Sequence, residues 1–355
     1  MNDEKIKVLI VDDSALMRRI IHNTLSQDPD IKVIGFAKDG VEALKKAQEL
    51  KPDVITLDVE MPHMDGLSCL ENLLKQDSYG VIMISSFTKE RAIETIRALE
   101  LGAFDFITKS DNLFDMYLKD KQNEIAEKVK LAYRTLKKSE LFYKVRRKER
   151  KASIEHKVVA SELKYIVALG ISTGGPRALS EILTEFPADL PAAFVIVQHM
   201  PSGFTASLAS RLNEICKLKV KEAEDMDELK AGYIYIAPGD YHLTFDRKGD
   251  KIRIKLIKTP PIGKLRPSID VMMSSLSETD FSNIIGVIMT GMGSDGAKGL
   301  VKLKENNNAF IIAQDEDTSI VFGMPRSAIE KGVVDKTVPL QKIPTCIMNF
   351  MGVRR

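Results

Sequence analysis

Cysteine is scarce in this sequence, and the few cysteines present are far apart. Cys69, Cys216 and Cys346 are odd in number and form no CxxC pair. This spacing argues against both a disulfide framework and a zinc site. Isolated thiols are typical of a chain that works in a reducing compartment, so we expect a cytoplasmic location.

Long apolar runs and an excess of one charge are also lacking. No apolar run approaches the ~18 residues of a membrane-spanning helix, and the opening MNDEKIKVLIVDD has too short an apolar stretch for a signal peptide. The 52 basic and 50 acidic residues leave a formal charge of +2. We therefore expect no membrane insertion and no overall attraction to nucleic acid.

What the sequence does contain is a repeated alternation of short apolar runs with amphipathic segments, which predicts parallel strands covered by helices. The predicted strands lie at 7–11, 54–57, 81–84, 104–107, 165–169, 193–197, 233–237, 284–290 and 310–313. Between the two groups, residues 136–157 are dense in charge and lack apolar periodicity. We predict an α/β protein with two doubly wound parallel-sheet domains, 1–135 and 158–355, joined by a charged linker at 136–157.

Polar side chains follow the predicted strands of the first domain where each strand ends. They are Asp12, Asp13, Asp58, Ser85 and Lys109. The carboxyl ends of parallel strands meet at one edge of the sheet, where ligands bind. Three carboxylates at that edge would repel one another and favour a small hard cation, Mg²⁺ above all, with the hydroxyl and the ammonium free to meet a phosphate. Any one of these residues alone would more often be a solvated surface group.

This half, at about residues 5–135, resembles the receiver domain of two-component response regulators, a flavodoxin-like fold. The resemblance is carried by VDDS at 11–14, LDVEMPHMDGL at 57–67, ISS at 84–86 and FITK at 106–109. It implies that Asp58 is the phosphoacceptor and that Asp12, Asp13 and Asp58 hold Mg²⁺. It also implies that Ser85 and Lys109 contact the phosphoryl group and that Phe106 is the switch aromatic. Ser110 stands where receivers commonly have proline, so the backbone after Lys109 lacks the restriction that proline imposes.

A glycine-rich segment, GISTGGP at 170–176, opens the second domain between a predicted strand and a predicted helix. It has no lysine for a phosphate-binding P-loop, and a serine stands where a GxGxxG dinucleotide motif needs glycine. It does fit GxSxG, which raises Ser172 at the tip of a strand-to-helix turn. A serine hydroxyl is a weak nucleophile without a base, so a histidine is required.

Five histidines are available, and only His199 and His242 lie in the second domain. His199 ends a predicted strand on the same sheet edge as Ser172, and we prefer it as the base, with His242 as the alternative. A carboxylate is needed to hold the imidazole, and Asp295 ends another strand among glycines. Asp270 and Asp240 are weaker candidates, since each has the sequence context of a cap or turn former.

The second domain, from about residue 160, resembles the chemotaxis protein-glutamate methylesterases, and the receiver in front of it matches their architecture. The resemblance is carried by the segments GISTGGP, QHMPSGFTASLASRL, IAPGDYH, RPSIDVMM, MTGMGSDGAKGL and QDEDTSIVFGMPRSA. It implies a Rossmann-like α/β serine hydrolase that removes methyl esters from glutamyl residues of chemoreceptors, deamidates receptor glutamines and is activated by phosphorylation. It also implies a histidine kinase as the phosphodonor and no cofactor in the catalytic domain. We expect a monomer.

The same resemblance places the catalytic roles on Ser172, His199 and Asp295, with backbone N–H groups at Thr173 and Met292 facing the oxyanion. A different reading stays open at this point. The basic run KVRRKERK at 144–151 and the GISTGGP turn would also suit a response regulator with a non-catalytic output domain that binds a nucleotide or nucleic acid. No helix-turn-helix pattern accompanies the basic run.

Overall fold

The computed structural model describes residues 5–86, 88–109, 116, 118–138, 162–249 and 251–353. The chain divides into two compact units, Met1–Lys148 and Glu149–Arg355. Most of the predicted linker lies outside the described residues, as does Ser110. The domain boundaries at 135 and 158 therefore stay predictions. None of the described helices combines the length and the apolar character that crossing a membrane requires.

The first unit alternates strands and helices without exception among its described elements. These are β1 Ile6–Val11, α1 Ala15–Leu25, β2 Ile31–Ala37, α2 Gly40–Leu50, β3 Val54–Asp58, α3 Gly66–Gln76, β4 Gly80–Ser85, α4 Lys89–Leu101, β5 Asp105–Thr108 and α5 Lys119–Lys138. The strands form one parallel sheet in the order β2-β1-β3-β4-β5. Because β3 and β4 are buried along their whole length, they read as continuous apolar runs in the sequence.

The first four helices begin where short polar side chains can cap them. Each capping side chain accepts a hydrogen bond from a backbone N–H of the first turn; the caps are Ser14, Asp39, Asp65 and Thr88. The first and third caps follow the strand ends that carry Asp12, Asp13 and Asp58. Capping therefore fixes where the chain turns away from the sheet edge and leaves the carboxylates at that edge.

The second unit is larger. Its elements are β6 Tyr165–Ile171, α6 Gly175–Leu183, β7 Ala192–Gln198, α7 Phe204–Ile215, β8 Lys219–Glu222, β9 Tyr233–Ile236, β10 His242–Lys248, β11 Lys251–Ile257, α8 Ile269–Leu276, β12 Ile284–Ile288, α9 Ala297–Asn307, β13 Phe310–Gln314, α10 Gly323–Glu330, β14 Lys336–Val338 and α11 Ile343–Phe350. Seven strands form a parallel sheet in the order β14-β13-β12-β6-β7-β9-β8. The other two, β10 and β11, form an antiparallel hairpin beside it.

The strand order of this sheet reverses at β6. From β6 the chain first adds strands on one side, starting with β7, and later on the other side, starting with β12. Helices that follow the two neighbouring strands then lie on opposite faces, which leaves a crevice at the carboxyl ends of β6 and β12. Ligands of open α/β sheets bind at such a point.

The predicted fold class, two α/β units with parallel sheets, is confirmed. The apolar runs did not indicate β2, β8, β14 or the β10–β11 hairpin. Two of these strands are short, at four and three residues, and the other three are only partly buried. Edge and half-exposed strands carry a weaker apolar signal than strands buried on both faces.

Candidate active site

Ser172 and His199 lie side by side at the carboxyl edge of the second sheet. Strands β6 and β7 are paired in register up to Ile171 and Gln198, so the two functional residues are the next ones along each strand. The backbone N–H of His199 donates to the carbonyl oxygen of Ile171 at 3.1 Å. Neighbouring parallel strands are about 4.8 Å apart, which brings opposite residues within reach of each other's side chains.

Asp295 reaches this edge from the loop between β12 and α9. Its Oδ2 lies 2.8 Å from Nε2 of His199, and the two side chains are only 10% and 8% exposed. His199 and Asp295 are 96 residues apart in the chain. The fold therefore brings together the base and the carboxylate that were expected to act as a pair.

The Asp295 carboxylate is held at the N-terminus of α8. Its Oδ2 also accepts from the N–H of Ile269 at 2.7 Å, and its Oδ1 accepts from the N–H of Asp270 at 3.1 Å and from Ser268 Oγ at 2.8 Å. Burial would raise the pKa of Asp295, but the hydrogen bond and charge of His199 and these backbone N–H groups outweigh burial and lower it. Asp295 is therefore ionised well below neutral pH.

The contact with Asp295 also selects the tautomer of His199. Because Oδ2 is an acceptor, Nε2 carries the hydrogen and Nδ1 is left as the acceptor. Among the described residues, the Ser172 hydroxyl makes no hydrogen bond to this nitrogen. Such contacts are often long without substrate and tighten when it binds.

Backbone and side-chain hydrogen bonds hold the turn that carries Ser172. Its N–H donates to the carbonyl oxygen of Thr290 at 2.9 Å, and its own carbonyl oxygen accepts from Gln198 Nε2 at 3.0 Å. The Thr290 hydroxyl donates to the carbonyl oxygen of Thr173 at 2.9 Å. Sequence patterns did not identify Gln198 or Thr290, although both stand at strand ends beside recognised motifs.

Gly291 is required beside the nucleophile because no side chain fits there. A Cβ atom at this position would lie 2.8 Å from Ser172 Cβ and 2.2 Å from Met324 Sδ. Gly291 thus lets the loop after β12 approach the serine closely. Met292, the next residue, is 52% exposed. The roles of Thr173 and Met292 at the oxyanion stay predictions.

The alternative residues have structural partners. His242 is fully buried, with Nε2 donating to the carbonyl oxygen of Pro260 at 3.2 Å and Nδ1 accepting from the N–H of Ser268 at 3.2 Å. Asp270 caps α9 through the N–H groups of Gly296 and Gly299. Asp240 lies in a turn and pairs with Arg266. This geometry favours His199 and Asp295 for the catalytic roles.

The polar residues of the first unit also meet at one sheet edge. Asp12, Asp13 and Asp58 each place one carboxylate oxygen within 4.8 Å of the others, and Asp58 and Lys109 line a pocket of about 580 Å³. The ammonium of Lys109 lies 2.7 Å from Asp58 Oδ2 and 2.9 Å from Asp12 Oδ2. The Lys109 ammonium thus lies between the two buried carboxylates of Asp12 and Asp58.

The electrostatics of this edge suit a cation. Burial and the neighbouring Asp12 carboxylate raise the pKa of Asp58 to about 6, against the effect of Lys109. Three carboxylates this close together, two of them buried and with one ammonium between them, form a set of oxygen ligands that a divalent cation would stabilise. The donor set therefore fits Mg²⁺.

Ser85 and Phe106 are both buried in this structure. The Ser85 hydroxyl accepts from Thr95 Oγ1 at 2.8 Å and lies 3.3 Å from the carbonyl oxygen of Ser86. Phe106 is 6% exposed, with the Lys128 ammonium 5.5 Å from its ring centroid. The contact of Ser85 with a phosphoryl group and the switch role of Phe106 stay predictions.

Comparisons with known proteins support the predicted family resemblance of each half of the chain. Residues 167–347 match the family model described as CheB methylesterase, and residues 8–117 match the model described as response regulator receiver domain. The chain belongs to the CheB methylesterase family. The predicted resemblance is confirmed for both halves, and the reading with a non-catalytic output domain is not supported.

Similar CheB proteins cover nearly the whole chain. A protein of Pyrococcus horikoshii is 44% identical over 353 residues, which are 99% of this chain and 95% of the relative. A protein of Thermotoga maritima is 45% identical over 351 residues, which are 99% of this chain and 100% of the relative. Both are named protein-glutamate methylesterase/protein-glutamine glutaminase.

A solved structure supports the fold of the catalytic half. The crystal structure of the Thermotoga maritima CheB methylesterase catalytic domain is 46% identical, with a TM-score of 0.51. The match covers 54% of this chain and 99% of that chain. A catalytic unit of this size is therefore known as a separate folded domain in a close relative.

Proposed function

We propose that this chain is a serine hydrolase that removes γ-methyl esters from glutamyl residues of chemoreceptors and deamidates receptor glutamines. The observation that carries the proposal is the His199–Asp295 pair, with Nε2 to Oδ2 at 2.8 Å, at the sheet edge where Ser172 ends the neighbouring strand. Membership of the CheB methylesterase family supports the choice of ester.

In the proposed reaction, Ser172 Oγ attacks the side-chain carbonyl carbon while its proton moves to Nδ1 of His199. The ionised Asp295 stabilises the imidazolium that forms. The imidazolium then protonates the departing methoxide, and methanol leaves; with a glutamine substrate, ammonia leaves instead. Water attacks the acyl-enzyme with His199 again as base, which releases glutamate and restores Ser172. Backbone N–H groups near Thr173 and Met292 would face the oxyanion.

The receiver unit would regulate this reaction. Asp58 would accept a phosphoryl group from a chemotaxis histidine kinase, with Asp12, Asp13 and Asp58 holding Mg²⁺. The bound cation supplies charge neutralisation for phosphoryl transfer. Lys109 and Ser85 would contact the phosphoryl oxygens, and Phe106 would change its orientation when these contacts form. We expect the protein to act in the cytoplasm.

Methanol release from a methylated chemoreceptor preparation tests the proposal. Wild-type protein is expected to release methanol, and Ser172→Ala is expected to release none above background. Ser210→Ala, an exposed serine of α7, is the matched control and should behave as wild type. A wild-type protein without activity, or a Ser172→Ala variant that retains it, would contradict the proposal.

A further inference from the structure

Ser268 stands behind the Asp295 carboxylate, on the side away from His199. It is fully buried and is the N-cap of α8. Its hydroxyl donates to Asp295 Oδ1 at 2.8 Å and accepts from the N–H of Val271 at 3.4 Å. One hydroxyl can donate once and accept twice, so both contacts form together. The shorter contact is the one with the carboxylate.

His242 forms a hydrogen bond with the backbone of Ser268. Its Nδ1 accepts from the N–H of Ser268 at 3.2 Å, and its Nε2 donates to the carbonyl oxygen of Pro260 at 3.2 Å. Pro260 belongs to the segment that follows β11, and His242 opens β10. A buried imidazole with both nitrogens bonded to backbone cannot rotate without losing a hydrogen bond. It therefore fixes the backbone at the position where Ser268 begins the helix.

The two carboxylate oxygens of Asp295 have different neighbours. Oδ2 faces His199 and the N–H of Ile269, while Oδ1 faces Ser268 Oγ and the N–H of Asp270. The Ser268 hydroxyl is the only side-chain donor to Oδ1 among the described residues. Without it, the N–H of Asp270 at 3.1 Å would be the remaining donor to Oδ1 among the described residues, and the carboxylate would be held less firmly in the orientation that presents Oδ2 to the imidazole.

We propose that Ser268, supported by His242, is a positioning residue for hydrolysis, because its hydroxyl orients the Asp295 carboxylate toward His199. This inference rests on the proposed function and adds to it. Ser268 acts through Asp295 and contacts neither substrate nor nucleophile. A small misplacement of the imidazole lowers the rate of the chemical step more than it weakens substrate binding.

The test measures methanol release by the full chain and its Ser268→Ala variant. We expect kcat to fall about tenfold with KM within about twofold of wild type. Ser268→Cys keeps the shape of the side chain with a somewhat larger atom and a weaker donor, and its kcat should lie between the two. If Ser268→Ala fails to fold, Ser268→Cys decides: a lowered kcat supports the proposal, and an unchanged kcat overturns it.

A matched control and a double variant separate positioning from helix capping. Ser275→Ala, on the same helix, removes a hydroxyl that accepts from the N–H of Phe245 at 2.9 Å, and it should leave kcat unchanged. In an Asp295→Asn background, Ser268→Ala should lower kcat by less than twofold. An equal, tenfold loss in that background would overturn the proposal. Inactive wild-type protein would instead contradict the proposed function itself.

Discussion

Ser172, His199 and Asp295 act as a unit in the proposed mechanism, so their losses should not add. Ser172→Ala and His199→Ala are each expected to lower kcat by about three orders of magnitude or more, and the double variant should be no worse than either. Asp295→Asn should be milder. Circular dichroism and methanol release measure folding and turnover separately. Loss of turnover in His242→Ala but not in His199→Ala would show that the base was chosen wrongly.

The pH dependence should reveal one ionisation on the acid side. A histidine base must be neutral to accept the serine proton, so kcat/KM should rise with pH toward neutrality. The lowered pKa of Asp295 keeps its carboxylate charged there. Its contribution to stability is present above its unfolded value of 3.8 and disappears only as pH falls through the lower folded value. A flat profile would argue against a histidine base.

At the scale of elements, the loop after β12 must pass close to the β6 turn, and Gly291 makes this possible. In Gly291→Ala, the new Cβ would meet both Met324 Sδ and Ser172 Cβ. We expect a loss of about 1–3 kcal/mol in the free energy of unfolding and a fall in kcat. Thermal denaturation and methanol release measure the two effects.

The effects of Gly291→Ala on stability and on kcat should separate when Met324 is replaced by alanine. In a Met324→Ala background, the added methyl group no longer meets the sulfur, so its cost in stability should become smaller. The contact with Ser172 remains, and the loss of kcat should therefore persist. Full recovery of kcat in the double variant would mean that crowding against Met324 alone disturbs the site.

At the scale of the whole molecule, we expect the unphosphorylated receiver unit to restrain the esterase unit. A fragment that starts at Val158 should hydrolyse receptor methyl esters faster than the resting full chain, and Asp58→Asn should lose stimulation by phosphodonor while it keeps basal turnover. Asp77→Asn, an exposed carboxylate of the same unit, is the control. Activation should be partial, because changing the ratio of unrestrained to restrained molecules from 1:99 to 99:1 needs about 5.5 kcal/mol. A fragment slower than the resting chain would contradict the restraint.

Metal removal should affect the functions of the two units differently. EDTA is expected to abolish stimulation of the full chain by phosphodonor, because the proposed phosphoryl transfer to Asp58 depends on a cation held by Asp12, Asp13 and Asp58. Basal turnover of the full chain and turnover of the fragment should not change. The same methanol-release assay with added Mg²⁺ checks reversibility. Loss of fragment turnover with EDTA would indicate a metal in the esterase unit.

The positions of the buried strands could be predicted from the sequence because they depend on local patterns. Buried parallel strands such as β3 and β4 read as apolar runs, and strand ends expose their polar residues at one edge. That argument led to Asp58, His199 and Asp295, and the GxSxG pattern led to Ser172. Partly buried strands such as β2 carry a weak pattern and were not indicated.

The sequence by itself thus determined the class of fold, the family and the residues that stand at the strand ends. Only the tertiary structure decided which nitrogen of His199 faces Asp295, why His242 has a structural role, and that Ser268 lies behind the carboxylate. The physical reason is distance along the chain. Apolar periodicity is set by neighbouring residues, whereas Asp295 and His199 are 96 residues apart and meet only because β12 and β7 flank β6.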